Sequence, residues 1–119
     1  MRRDPRAFLW DMQQGSTLVR EFLRGVDTAT YLKSPLLRSA VERQLQNIGE
    51  ALSQLSRADP PLAARVPEYR QLIAFRNVLV HGYAALNHDE VWRAVSESLP
   101  GLQTAVDALL AELGPPSEP

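Results

Sequence analysis

The stretch "SPLLRSAVERQLQNIGEALSQLSRAD", Ser34 to Asp59, decides the fold. Leu37, Val41, Leu45, Ile48, Leu52 and Leu55 recur at steps of three and four, which brings them to one face of a helix. Ser34 before Pro35 reads as an N-cap with proline at the first helical position, where the missing N–H costs nothing. Gly49 interrupts the stripe. It either admits a close neighbour or weakens the helix.

The same cap signature flanks this segment on both sides. Asp4-Pro5 precedes Phe8, Leu9, Met12, Val19, Phe22 and Leu23, again at helical spacing. Gly15 and Ser16 weaken the middle of that first helix, and Gly25 is expected to end it. A short helical turn fits Asp27–Lys33. Asp59-Pro60 opens the connector "ADPPLAARVP", with room for one helical turn. A third long helix begins near Pro67, and Gly82 is placed to break it. "NHDE" then offers Asn87 or Asp89 as the cap of a last helix. Its apolar positions run from Val91 and Trp92 to Leu113, and Pro100 should kink or split it. Nothing alternates with the period of a strand. The pattern predicts an all-α chain, an antiparallel bundle of four main helices filling residues 1–113, with a disordered tail over 114–119.

Composition narrows the function. A chain of 119 residues fits one domain. Its net charge of -1 excludes a global basic field. Twelve arginines stand against one lysine, Lys33. That bias suits bidentate contacts to phosphate or carboxylate, and equally suits a GC-rich genome. With no cysteine, the chain has no disulfide, thiolate metal site or cysteine nucleophile. The N-terminus lacks the apolar region of a signal peptide, and no apolar run approaches a membrane span. A soluble cytoplasmic protein is expected. His81 and His88 have no third ligand at metal spacing, so no metal site is expected, and nothing calls for a cofactor. The scattered glycines form no phosphate loop, and no serine sits in a nucleophile elbow.

The third helix carries the chemistry. In "FRNVLVHGYAALN", Phe75 to Asn87, the apolar run Val78-Leu79-Val80 is flanked by Arg76, Asn77, His81 and Tyr83. Asn77 and His81 are four apart and share a face. Arg76 and His81 are five apart, so their Cα vectors diverge by roughly 140° and the two need not meet within one chain. Each residue has a plain structural reading. Arg76 could pair with a carboxylate such as Glu50, His81 could complement the helix dipole, and Tyr83 could pack its ring. His88, in a turn beside Asp89, is expected to be solvated. Four functional groups within eight residues are harder to explain that way.

"RNVLVHGY" resembles the signature of HEPN-domain proteins, and specifically of the HepT-like ribonuclease toxins: arginine, four residues, histidine, one residue, tyrosine. "NIGEAL" at Asn47–Leu52 is similar to the family's second-helix motif, and "SLPGL" near Pro100 to its last helix. The likeness covers nearly the whole chain. It implies a symmetric homodimer whose signature helices face each other across the two-fold axis, so that an arginine of one protomer can serve a histidine of the other. It implies an endoribonuclease with Arg76 and His81 catalytic, Asn77 supporting, and a 2′,3′-cyclic phosphate product formed without metal. It further implies the toxin of a type VII toxin–antitoxin pair. The partner would be a small nucleotidyltransferase antitoxin that transfers AMP onto Tyr83. The alternative is a non-catalytic HEPN dimer that binds RNA or nucleotide, or acts as a platform for a nucleotidyltransferase.

Overall fold

The computed structural model describes residues 3–82 and 86–116. Its elements are α1 (Pro5–Phe22), α2 (Thr28–Lys33), α3 (Pro35–Ala58), α4 (Pro60–Ala63), α5 (Tyr69–His81), α6 (His88–Arg93) and α7 (Leu99–Leu113). A five-residue π-helical turn, Ala94–Ser98, joins α6 to α7. The chain is all-α, and no strand occurs among the described residues.

The three cap-and-proline signatures each start a helix. The Asp4 side chain accepts from the Arg6 N–H, Ser34 from Leu37 and Asp59 from Leu62. Each thereby satisfies one of the donors that a helix N-terminus leaves open. Asp27 caps α2 through the Thr30 N–H, and Asn87 caps α6 through the N–H groups of Asp89 and Glu90. Gly25, at φ 72°, supplies the left-handed turn after α1 that a side chain would resist.

α1 runs unbroken through Gly15 and Ser16, both buried. Ser16 returns its hydroxyl to the Met12 carbonyl at 2.8 Å, so burial leaves no unpaired donor. Gly15 is needed for packing: a Cβ there would lie 2.8 Å from Ile48 Cγ1 of α3. α3 is the central element and packs against α1 on one side and α5 on the other, while α7 covers α1. Val41, Leu45, Ile48, Leu52 and Leu55 are buried as their spacing predicts, together with Met12, Val19, Leu102 and Val106.

Pro100 splits the last helix as expected, and the break has a defined form. Leu99 N–H bonds to the Ala94 carbonyl, an i→i−5 pair. The wider turn lies just ahead of the proline, whose ring crowds the carbonyl four residues earlier and offers no N–H. α7 ends at Leu113, and Gly114 follows at φ 83°. The expected tail is non-helical over 114–116, and 117–119 lie outside the described residues. No helix among the described residues is long and apolar enough to cross a membrane.

Candidate functional site

α5 is thinly covered for an inner helix. Leu79 is its one fully buried residue, against eight in α3. At 100° per residue three consecutive apolar side chains cannot all face inward. Only Leu79 of the run does; Val78 is 43% exposed and Val80 38%. Ala74, Asn77, Val78 and His81, spaced three, four and seven apart, form one exposed face of the helix.

Arg76 points the other way, onto α3. Its backbone and side chain lie against Gly49: a Cβ on that glycine would be 2.3 Å from Arg76 Cβ and 2.7 Å from its Cγ. Gly49 therefore exists for a close helix approach. From there the guanidinium reaches Glu50, with Nη2 2.8 Å from Oε2. Arg76 Nη1 donates to Asn77 Oδ1 at 3.1 Å, and Gln54 Nε2 donates to the other Glu50 oxygen at 3.0 Å. A chain Gln54–Glu50–Arg76–Asn77 thus crosses from α3 to α5. It fixes a permanent cation at the surface beside the exposed face of α5. Arg76 Nε is buried and has no hydrogen-bond partner among the described residues.

His81 is the last residue of α5, exposed, with Gly82 as the C-cap whose N–H bonds to the Val78 carbonyl at 2.8 Å. No hydrogen bond or ion pair joins it to Arg76 among the described residues, consistent with the angular divergence along the helix. Asn77 shares His81's face, but its carbonyl oxygen is taken by Arg76. Tyr83 lies outside the described residues.

A second polar cluster sits where α2, α3 and α6 meet, and here the expectation for His88 is corrected. Its side chain is not simply solvated. Nδ1 is buried, 3.6 Å from Glu42 Oε2, which is too long for a hydrogen bond. Glu42 is itself buried, and burial pushes its carboxyl above the usual range, opposed by the nearby charges of His88 and Arg38. Tyr31 is fully buried and its ring packs on Trp92, centroids 5.0 Å apart, while its hydroxyl has no hydrogen-bond partner among the described residues. Burial, helped by Glu42, pushes that hydroxyl up to about 12. The sequence signal for this cluster was faint: Glu42 adjoins Val41 on the α3 stripe, and only the docking of α6 turns it inward. Gln54 was equally missed, since a lone glutamine on a half-buried helix flank has no pattern of its own. Among the described residues no group of three or more His, Asp or Glu side chains could hold a metal ion.

The assembled site belongs to a small helical domain that presents a carboxylate-anchored arginine and an imidazole at a helix end. The Ribonuclease HepT-like family profile matches residues 12–109, and the chain belongs to that family. It is similar to "Putative RNase MJ1380" of Methanocaldococcus jannaschii, 29% identical over 106 residues that cover 89% of this chain and 96% of that protein. It is 28% identical to "Probable ribonuclease HepT" of Thermococcus cleftensis over 92% of this chain and 98% of that one. "Putative RNase TTE0752" of Caldanaerobacter subterraneus subsp. tengcongensis is 27% identical over 91% and 96%. No solved structure matches.

Proposed function

We propose that the protein is an endoribonuclease acting as a symmetric homodimer, with Arg76 and His81 as its catalytic pair. The observation that carries this reading is the Arg76–Glu50 ion pair of 2.8 Å, which holds a cation beside the exposed helix end that bears His81. The exposed Val78 and Val80 support a second copy packed on α5, since a lone bundle leaves them in water. Two copies of α5 across a two-fold axis would set two arginines and two histidines into one cleft, which supplies locally the positive charge that the whole chain lacks.

Histidine suits the chemistry because its unperturbed pKa lies near neutrality. The imidazole of His81 takes the proton of a ribose 2′-hydroxyl. The 2′-oxygen attacks phosphorus, the bond to the 5′-oxygen breaks, and an imidazolium returns a proton to that leaving oxygen. The products are a 2′,3′-cyclic phosphate and a 5′-hydroxyl. Arg76 neutralises charge that builds on the phosphoryl oxygens, and Asn77 keeps the guanidinium oriented. Family resemblance supports the rest of the reading. The protein is the toxin of a toxin–antitoxin pair, and a nucleotidyltransferase partner silences it by moving AMP from ATP to Tyr83. A bulky anion two residues from His81 would repel RNA phosphate.

The test is cleavage of single-stranded RNA by the purified protein in EDTA. His81→Ala and Arg76→Ala should each lower the rate about a hundredfold or more with helicity retained. Parental speed in His81→Ala would remove the nuclease assignment. The second reading, a non-catalytic HEPN dimer, is favoured by one observation: Glu50 and Asn77 already occupy the Arg76 guanidinium. RNA binding without cleavage by the parent would select it. For Tyr83, co-expression with the nucleotidyltransferase should add one AMP to the parent and none to Tyr83→Phe. Equal addition to both would dismiss the acceptor assignment.

A further inference from the structure

On the other flank of α3, facing α1, the helices leave an open groove of about 350 Å³. It has the size of a small-molecule pocket. Gly15 and Ala51 form part of its floor, where α1 and α3 pack closely. Gln44, Asn47, Glu50 and Gln54 line it from α3, with Asp11 and Leu18 from α1. Leu18, 41% exposed, gives one apolar wall. The side-chain amides of Gln44 and Asn47 hydrogen-bond to no other described residue. Each therefore offers two donors and an acceptor to a ligand.

This lining chooses among the parts of a nucleotide. Two carboxylates, Asp11 and Glu50, disfavour a phosphate. Arg3, beside Asp11, is tied to it at 2.8 Å, and Arg76 approaches only at the Glu50 end of the groove. Amides and carboxylates beside an apolar wall match the edge and face of a nucleobase. Glu50 belongs both to this groove and to the Arg76 ion pair. A nucleotide whose phosphate meets the Arg76 guanidinium can therefore lay its base across Glu50 and into the groove.

We propose that the α1–α3 groove is a nucleobase subsite for single-stranded RNA, favouring bases that carry an exocyclic amino group. Adenine, cytosine and guanine can donate an amino proton to a carboxylate oxygen of Asp11 or Glu50, whereas uracil has no such group. A base inside a duplex has its pairing edge occupied, so the subsite selects unpaired RNA. The proposal rests on the ribonuclease reading for its substrate, and its test is read by binding rather than by cleavage.

The experiment is a titration of the ¹⁵N-labelled protein with each of the four ribonucleoside 3′-monophosphates, and with ribose 5-phosphate as the control. The side-chain NH₂ signals of Gln44 and Asn47 should shift with the adenine, cytosine and guanine nucleotides. Affinity should exceed that for the uracil nucleotide by about three- to tenfold, the worth of one hydrogen bond. Ribose 5-phosphate should leave those signals in place. The double variant Gln44→Ala/Asn47→Ala, whose side chains are not part of the core, should weaken binding of every base, Asp11→Ala should narrow the preference for amino-bearing bases over uracil, and Arg76→Ala should weaken all four nucleotides alike. Absence of shifts at the groove, or equal shifts with ribose 5-phosphate, overturns the proposal. Cleavage of RNA by the parent is scored separately. An inactive parent with base-dependent shifts keeps the subsite and removes the nuclease. An active parent without such shifts does the reverse.

Discussion

Gly49→Ala tests whether the meeting of α3 and α5 is what places the arginine. The added methyl would lie 2.3 Å from Arg76 Cβ and 3.6 Å from its Cα. Carbon atoms in contact settle at about 3.5 Å or more, so α5 must withdraw by about 1.2 Å, or rotate, along this line. The near atoms are the stem of Arg76 next to its backbone, so no flexible chain end can yield. Overpacking of this kind costs roughly 1–3 kcal/mol, and the better helix propensity of alanine offsets about 1 kcal/mol of it. The net loss of stability should therefore be modest, about 0–2 kcal/mol. The functional loss should be larger. Displacing a catalytic group by about 1 Å can cost on the order of a hundredfold in rate. Denaturant melts followed by circular dichroism would give the first number, and RNA cleavage rates at saturating substrate the second. A variant as fast as the parent, whatever its stability, would show that Arg76's position relative to α3 is irrelevant to the chemistry.

Three further outcomes follow from the α2–α3–α6 cluster and its cap. Tyr31, with its hydroxyl raised to about 12 against an ordinary value near 10, favours the folded state only while protonated. That contribution is whole below pH ~10 and is lost as pH rises through about 12, on the order of 2–3 kcal/mol; an alkaline unfolding series of parent and Tyr31→Phe should diverge there. Glu42, whose carboxyl is also raised by burial, costs stability once ionised, so the parent should weaken relative to Glu42→Gln as pH climbs from the ordinary glutamate range through its raised value. Parallel stability curves for the two proteins would refute that. Asn87→Ala removes the acceptor shared by the Asp89 and Glu90 N–H groups and should lower stability by about 1 kcal/mol in thermal melts; an unchanged midpoint would mean that solvent caps the helix as well.

Much of the fold could be read from local chemistry. A cap oxygen and a proline act within one turn, so Asp4, Ser34 and Asp59 announce their helices whatever the tertiary context. The stripe of α3 was equally plain, because six apolar residues at steps of three and four have few other uses. Glu50 could be named as a partner for Arg76, though nothing in the spacing required it. What stayed hidden depended on which element covers which face. Periodicity assigns Val78 and Val80 to faces of α5 but cannot say that the other described residues leave them partly exposed. His88 looked like a turn residue because its partner Glu42 is 46 positions away on another helix. The π-helical turn was foreseen only as an unspecified break at Pro100. The α1–α3 groove is a space between two helices far apart in the chain, and no motif records it.

The charge distribution ties these features to a shared constraint. Much of the chain's arginine is already engaged: Arg3 with Asp11, Arg6 with Asp4, Arg24 with Glu21, Arg65 with Glu112 and Arg76 with Glu50. Most of these pairs are solvent-exposed and contribute little stability each, but they do cancel fields that would otherwise attract a polyanion anywhere on the surface. Arg76 differs in what surrounds it. Its guanidinium is anchored by a carboxylate on one helix and an amide on its own, three side chains fixed by Gly49's close approach. A phosphate arriving there meets a cation already oriented, with little rotamer entropy left to lose. In the proposed reaction Glu50 would weaken the ground-state attraction for RNA, yet it would also hold the fork in place for the charge that develops during cleavage. Modest affinity at an oriented cation favours reaction over retention, since only interactions that strengthen in the transition state raise the rate of the chemical step.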